Sequence, residues 1–369
     1  MLTAKPPIRY FYMYRLIFII VLLDLVIPAC GFQSALPTNI SVPPSQSSPS
    51  PIQTSIFTQN LTLLPPSFEN GTLAYLDYNP TANGKSRIIT IDIATGESQV
   101  IEFECFLCNN FSFSPDATHI ALEGVKEFSS HLSNEIMLLD VKGDEIRQFQ
   151  YSPDCIVGVS WSPDSKYLLF TNDYECKRLD NDVVVLELAT NATIKLTNTK
   201  GWKSEPTWSP NGKYIAYGYR NLVSDDNEGT DGYLWLMDSN GKNPHQISDM
   251  PIGSHFQISW SPDSSMVAFS SPMTCGDIYI TNIRTNDTKL FFDTNGCATN
   301  PVWSPDGKVI AVLVTDYFPV SNQVDNWQIL LLSVDRKNIV PVVHRQGRQP
   351  PLYLGWVPAD ENTNSQFPK

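Results

Sequence analysis

The side chains that could do chemistry in this sequence are few and scattered. Five His stand at 119, 131, 245, 255 and 344. There is no Gly-x-Ser-x-Gly elbow, no His-Glu-x-x-His and no Gly-rich phosphate loop. The short motifs that mark α/β-hydrolases, zinc proteases and phosphate-binding loops are therefore absent. The run 224–232, Ser-Asp-Asp-Asn-Glu-Gly-Thr-Asp-Gly, brings oxygen donors close together, and Asp225, Asn227 and Asp231 make a weak candidate for Ca²⁺. It lacks the distant bidentate Glu of an EF-hand, and a solvated acidic turn accounts for it equally well. No cofactor is expected.

A different set of polar residues emerges from a repeat. Phe113-Ser-Pro-Asp116, Trp161-Ser-Pro-Asp164, Trp208-Ser-Pro-Asn211, Trp260-Ser-Pro-Asp263 and Trp303-Ser-Pro-Asp306 recur at steps of 48, 47, 52 and 43 residues. Counting three back from each aromatic gives Asn110, Gly158, Glu205, Gln257 and Asn300, and the same count from Trp356 gives Tyr353. Five of these six are polar, and His255 lies two residues ahead of Gln257. Equivalent positions in a ring of repeats encircle its axis, so these residues are expected to line one mouth of a central channel as a ligand site. Glu205 is the one acid among them and His255 the one candidate base. Polar strand starts at a wet rim would give the same pattern without a ligand.

The elements that position them are strands. Each Ser-Pro-Asp turn joins an apolar stretch to a second one, such as Tyr214-Ile-Ala-Tyr217 or Val309-Ile-Ala-Val312. A third follows, as in Tyr233-Leu-Trp-Leu-Met237, and a short fourth, as in Ile194-Lys-Leu-Thr197. Pro fixes φ in the turn, Asp or Asn bonds its own backbone, and Gly212 or Gly307 supplies positive φ. Four short strands every 43–52 residues predict propeller blades. The Trp are expected as packing between blades. Near the start, 69–75 matches a second strand with no first. At the end, 354–360 matches a first strand with no second. The C-terminal strand should therefore complete the first blade, giving an all-β, six-bladed propeller of four-stranded antiparallel blades with no open edge in the ring.

The repeated Trp-Ser-Pro-Asp-Gly-x-x-Ile-Ala-Phe pattern resembles the TolB-like β-propellers over residues 69–358, with Phe113, Asn211 and Val357 as departures. The resemblance implies a fold and says little about activity. TolB carries an extra α/β domain ahead of its propeller, where this chain has only a Pro/Ser-rich stretch. Related propellers also precede hydrolase domains in prolyl-oligopeptidase-like enzymes, and oligogalacturonate lyases use a His-rich metal centre for which this chain aligns too few His.

With strands running outward in each blade, the starts of first strands and the ends of second strands share one face. Cys105, Cys108, Cys155 and Cys297 precede first strands, and Cys176 and Cys275 follow second strands, so all six are expected there. Pairings 155–176, 275–297 and 105–108 follow, with a metal at Cys105-x-x-Cys108 as the rival reading.

The N-terminus reads as an address. Lys5, Arg9 and Arg15 precede an apolar run 16–27, interrupted by Asp24, and then Pro28-Ala29-Cys30. This resembles a bacterial lipoprotein signal with Cys30 as the lipidated residue. An uncleaved anchor helix or ordinary secretion are the alternatives. All three place the body outside the cytoplasm. Residues 1–29 are thus the signal and 30–58 a spacer with Pro37, Pro43, Pro44, Pro49 and Pro51. Residues 59–358 form the propeller and 359–369 a tail. Cleavage removes three basic residues and one acid, leaving 22 against 37 and a mature charge of −15. Such a chain is a poor nucleic-acid binder. The expected function is a lipid-anchored, monomeric, non-catalytic binding or scaffold module for an extracytoplasmic protein, peptide or glycan. The alternative is a lyase or hydrolase acting at the channel mouth.

Overall fold

A computed structural model describes residues 71–77, 85–105, 107–125, 135–150, 155–173, 181–221, 232–252, 257–271, 276–293, 297–317, 324–346, 350–351 and 353–358. All belong to a compact unit spanning Ile56–Lys369. They contain strands and no helix, arranged as six four-stranded antiparallel sheets.

The first blade is made from both ends of the unit. β1 (Thr72–Asp77), β2 (Ser86–Asp92) and β3 (Ser98–Phe103) are joined by β24 (Leu354–Val357), which takes the inner position. The second blade holds β4 (Leu107–Phe113), β5 (His119–Val125), β6 (Glu135–Asp140) and β7 (Glu145–Phe149). The third holds β8 (Cys155–Trp161), β9 (Tyr167–Asp173), β10 (Asn181–Glu187) and β11 (Thr193–Lys195). The fourth comprises β12 (Trp202–Trp208), β13 (Tyr214–Arg220), β14 (Gly232–Asp238) and β15 (His245–Ile252). The fifth comprises β16 (Ser259–Trp260), β17 (Met266–Ser270), β18 (Ile278–Asn282) and β19 (Asp287–Phe292). The sixth comprises β20 (Cys297–Trp303), β21 (Val309–Tyr317), β22 (Val324–Ser333) and β23 (Ile339–Gln346). β24 packs between β20 and β4, so the ring closes as the split first repeat predicts.

Second strands such as β5 are buried along nearly their whole length, because both faces of a blade meet neighbours. Outer strands alternate or are exposed, as in β3 and β11. Between blades the core is continuous: Ala121, Ile136 and Leu138 of the second blade meet Ile156, Trp161, Leu168 and Phe170 of the third. Three of the anchor Trp stitch these seams with their indole N–H. Trp161 donates to Ser112 O at 2.9 Å, Trp260 to Thr207 O at 3.2 Å and Trp356 to Val302 O at 3.2 Å, each reaching the preceding blade. Trp356 performs this across the closing seam.

The turns are built as their residues require. Ser304 Oγ donates to Asp306 Oδ1 at 2.6 Å and accepts from Val309 N at 3.0 Å, and the other repeats do the same. The outer turn Ser333–Asn338 copies the device, with Ser333 Oγ donating to Asp335 at 2.7 Å. The αL position after each Asp falls on Gly212 and Gly307 but also on Ala117, Ser165 and Ser264. Both Ser offset the backbone cost, since Ser165 and Ser264 Oγ accept from Asp116 N and Asn211 N of the preceding blade.

These turns make the fold sensitive to acid. The hydroxyl of Ser162 holds Asp164 below the ordinary carboxylate range, that of Ser261 does so for Asp263, and Ser333 with the Lys337 backbone brings Asp335 down to about 2. For Asp116 burial pushes upward, but bonds from Ser114 and Thr118 outweigh it. Each carboxylate has a lower pKa folded than unfolded. Their contribution is therefore full above ~pH 4.5 and is lost as pH falls through the folded values. Melting temperature should be flat from pH 7 to 5 and drop progressively between pH 4 and 2, followed by circular dichroism. Ser261→Ala with Ser162→Ala should shrink that drop.

Thr72 pairs with Val357. The described chain thus enters and leaves at one rim, formed by the Ser-Pro-Asp turns and the outer turns. The opposite face, where inner strands begin, is the mouth.

Candidate functional site at the channel mouth

Three inner strands carry a β-bulge at the position three before the anchor aromatic. Gly158 and Val159 oppose Phe170, Glu205 and Pro206 oppose Tyr217, and Asn300 and Pro301 oppose Val312. The first residue of each pair lies in the left-handed region, with φ of 68° at Gly158, 48° at Glu205 and 54° at Asn300. A bulge bends the strand and re-aims the side chain, and Pro fits beside it because the interrupted ladder needs no N–H there. In β4 the extra residue comes one earlier. Asn109 is left out, and Asn110 sits in register with Glu123. Asn110 is thus not conformationally equivalent to Glu205 and Asn300, a correction to the repeat alignment. The disulfide between Cys105 and Cys108 ends immediately ahead of this bulge, and both Cys are buried.

Asn110, Asn300 and Tyr353 are buried, at 3%, 4% and 6% exposure, while Glu205 and Gln257 are half-buried. Tyr353 Oη donates to Glu205 Oε2. Tyr353 leads into the first blade and Glu205 belongs to the fourth, so this bond crosses the ring between opposite blades. Beside it, Gln257 grips Leu354: Nε2 donates to the carbonyl at 2.7 Å, and Oε1 accepts from the N–H at 3.3 Å. The Oδ1 of Asn110 is buried with no hydrogen-bond partner among the described residues.

Two residues escape the repeat alignment. Glu123, 3% exposed on β5, accepts from Gly158 N at 2.7 Å and from Asn109 Nδ2 at 3.5 Å. A single acid in the apolar run His119-Ile-Ala-Leu-Glu-Gly-Val125 is the signal that marks it. Gly158 lies between the two carboxylates. A Cβ there would stand 3.2 Å from Glu205 Cα and 3.3 Å from Glu205 Oε2. Lys203, 1% exposed, gives its ammonium to the carbonyls of Asn181 at 2.7 Å, Gly201 at 3.0 Å and Thr199. Asn181 brackets the same residue, its Nδ2 and Oδ1 each 2.6 Å from the Lys203 backbone. No spacing pattern in the sequence marks this lysine.

His255, the Ca²⁺ candidates Asp225, Asn227 and Asp231, and Cys30, Cys176 and Cys275 lie outside the described residues, as does the side chain of Cys155. The two longer Cys pairings therefore also lie outside them. Cys297 is buried at the start of β20. Among the described residues no three His, Cys, Asp or Glu side chains group to hold a metal ion.

The described strands form a six-bladed β-propeller, the fold also seen in solved TolB structures. In solved structures, similar folds include TolB from Acinetobacter baumannii (TM-score 0.57, 17% identity, 79% of this chain and 68% of that one). A putative TolB from Agrobacterium tumefaciens is also similar (TM-score 0.55, 17% identity, 74% of this chain and 99% of that one). By sequence the chain is 28% identical over 167 residues to dipeptidyl-peptidase 5 of Porphyromonas gingivalis, covering 42% of this chain. It spans under a quarter, 23%, of that relative's length. No family model matches the chain.

Proposed function

We propose that the chain is a non-catalytic binding module whose channel mouth engages a segment of an extracytoplasmic protein, a peptide or a glycan. In this reading it is a monomer, exported through residues 1–29, lipid-anchored at Cys30 and held off the membrane by residues 30–58. The observation that carries it is the trio of bulged inner strands. Left-handed backbone at Glu205 and Asn300 carries a conformational cost for residues with a side chain, and such strain concentrates at sites where a surface recognises something. The TolB-like fold is consistent with a binding role and does not establish one.

The test is a binding screen of residues 59–369 against extracytoplasmic proteins and cell-wall glycans. Glu205→Ala with Asn300→Gly, the glycine chosen for φ of 54°, should weaken genuine hits at least tenfold. The melting temperature should stay within a few degrees. Hits that all survive the double substitution would move the site away from the mouth. The Glu205–Tyr353 pair favours a second reading, a lyase or hydrolase acting there. Turnover of a polysaccharide or peptide that Glu205→Gln abolishes would establish it.

A further inference from the structure

We infer that the seam between the second and third blades is a second binding site, separate from the mouth, and that it takes one ring of a neutral glycan. A cavity of about 230 Å³ opens there. Its floor is Ile136 of the second blade with Ile156, Phe170 and Leu186 of the third. Its rim carries Gln148 and Gln150 on and just after β7, and Asn191 and Thr193 on the hairpin from β10 to β11.

The cavity has a cause in the sequence. In the first blade, Ile101 and Phe103 of β3 stand opposite Ile88 and Ser86, and both are buried in a core shared with Met137 and Leu139 of the second blade. The matching residues of β7 are Arg147 and Phe149, opposite Leu138 and Ile136, and both are only half-buried. An arginine does not fill the place of an isoleucine. Arg147 instead donates to Leu188 O at 2.7 Å and to Asn191 Oδ1 at 2.6 Å, with its guanidinium 4.8 Å from the centre of the Phe149 ring. It straps the two blades together and leaves the seam open. On the far side β11 is three residues long and exposed throughout, too short to cover the gap.

The lining selects the occupant. Among the described residues no charged side chain lines the cavity, and Arg147 at its edge is already engaged. Gln150 gives Nε2 to Glu135 at 2.5 Å and keeps its carbonyl oxygen, while Asn191 keeps its Nδ2. With both ends of the Gln148 amide and the Thr193 hydroxyl, the rim sets donors beside acceptors. Sugar hydroxyls, each a donor and an acceptor, match that mixture. The apolar floor suits the C–H face of a pyranose ring. A wholly apolar occupant would strip water from the rim and return no hydrogen bonds. The net charge of −13 disfavours an acidic glycan. The cavity is smaller than the ~300–1,000 Å³ of sites for drug-sized ligands, so it holds one ring while the rest of a chain runs along the blade edge.

The probes are maltotriose, cellotriose and triacetylchitotriose, with trigalacturonate as the acidic control. Each is offered to the full chain and followed by saturation-transfer NMR and titration calorimetry. At least one neutral trisaccharide should bind, and more tightly than trigalacturonate. Thr193→Tyr sets a ring over the floor from an exposed strand position and should abolish binding. Gln148→Ala with Gln150→Ala should weaken it at least tenfold through lost hydrogen bonds. Melting temperatures within a few degrees of the parent confirm that each variant folds. The variant carrying Glu205→Ala and Asn300→Gly should bind the trisaccharide as the parent does, which tests the seam apart from the mouth. Failure of all three neutral sugars to bind, a preference for trigalacturonate, or binding that survives Thr193→Tyr would each overturn the inference and leave the mouth reading untouched. Loss of binding in the mouth variant alone would overturn it by moving the sugar to the mouth. Phage-displayed peptides that need an open seam, with no sugar bound, would overturn it by making the groove a peptide site.

Discussion

Removing residues 352–369 is expected to abolish cooperative folding of the head. The deletion takes away Tyr353, Leu354, Trp356 and Val357, all buried, from the inner strand of the first blade. The cost has three parts. Leu354 and Trp356 leave a core shared with Tyr75, Leu313, Trp327 and Ile329 of the first and sixth blades. Burying side chains of this size is worth ~1.5–3 kcal/mol apiece, so the loss of these two alone reaches the low end of an ordinary domain's stability. The indole bond from Trp356 to Val302, which ties the first blade to the sixth, disappears. The edge of β1 at Leu73 and Tyr75 becomes an unpaired apolar strand open to other chains. Thermal unfolding followed by near-ultraviolet circular dichroism should become broad, and light scattering should report aggregation. A truncated head that melts sharply at the parental temperature would refute closure through β24.

Lys203→Met is expected to be the most damaging single substitution at the mouth. Methionine fills the volume, so packing changes little. The loss is electrostatic: the carbonyls of Asn181, Thr199 and Gly201 all turn toward an ammonium that would no longer be there. An orphaned buried acceptor costs roughly 1–3 kcal/mol, and three sharing one donor should together cost at least ~3 kcal/mol. For a propeller spanning residues 59–358, at about 2.1 cal/mol/K of unfolding entropy per residue, that is a fall of about 5 °C in melting temperature. Lys203→Arg is no rescue, since a planar fork does not match three carbonyls converging on one point. A Met variant within about 2 °C of the parent would show that water replaces the ammonium at no net cost.

How much of this was legible in the sequence depends on whether a feature repeats. The blades repeat, so Trp-Ser-Pro-Asp and its following strands locate them. The split first blade is readable because 69–75 and 354–360 each lack what the other has. The indole seams follow from the same Trp. What does not repeat stays hidden. Asn110 falls on the aligned position, yet the second blade places its bulge at Asn109, and counting from Phe113 cannot reveal a one-residue shift in where the ladder breaks. Glu123 occupies a strand position that holds Thr171 and Leu313 in the third and sixth blades, so nothing periodic points to it. The Glu205–Tyr353 contact joins residues 148 apart through the geometry of the closed ring, and no local pattern encodes a bond across a diameter. Lys203 reads as one more lysine until three carbonyls, from β10 and from the connection into β12, are seen around it.

The meeting of Thr72 and Val357 at the turn rim has a practical side for anyone handling the protein. A dye, an affinity tag or a biotin joined just beyond either residue starts from the rim opposite the mouth. Heads immobilised on a sensor chip through such a label would present the mouth to the flowing analyte, and two different labels could be used at once without either covering it. A cysteine introduced at Lys337, in the outer turn on that same rim, would offer a third attachment point of the same polarity. Coupling through the mouth face instead would mask it, so comparing the two orientations separates binding at the mouth from binding along the blade edges before any side chain there is altered.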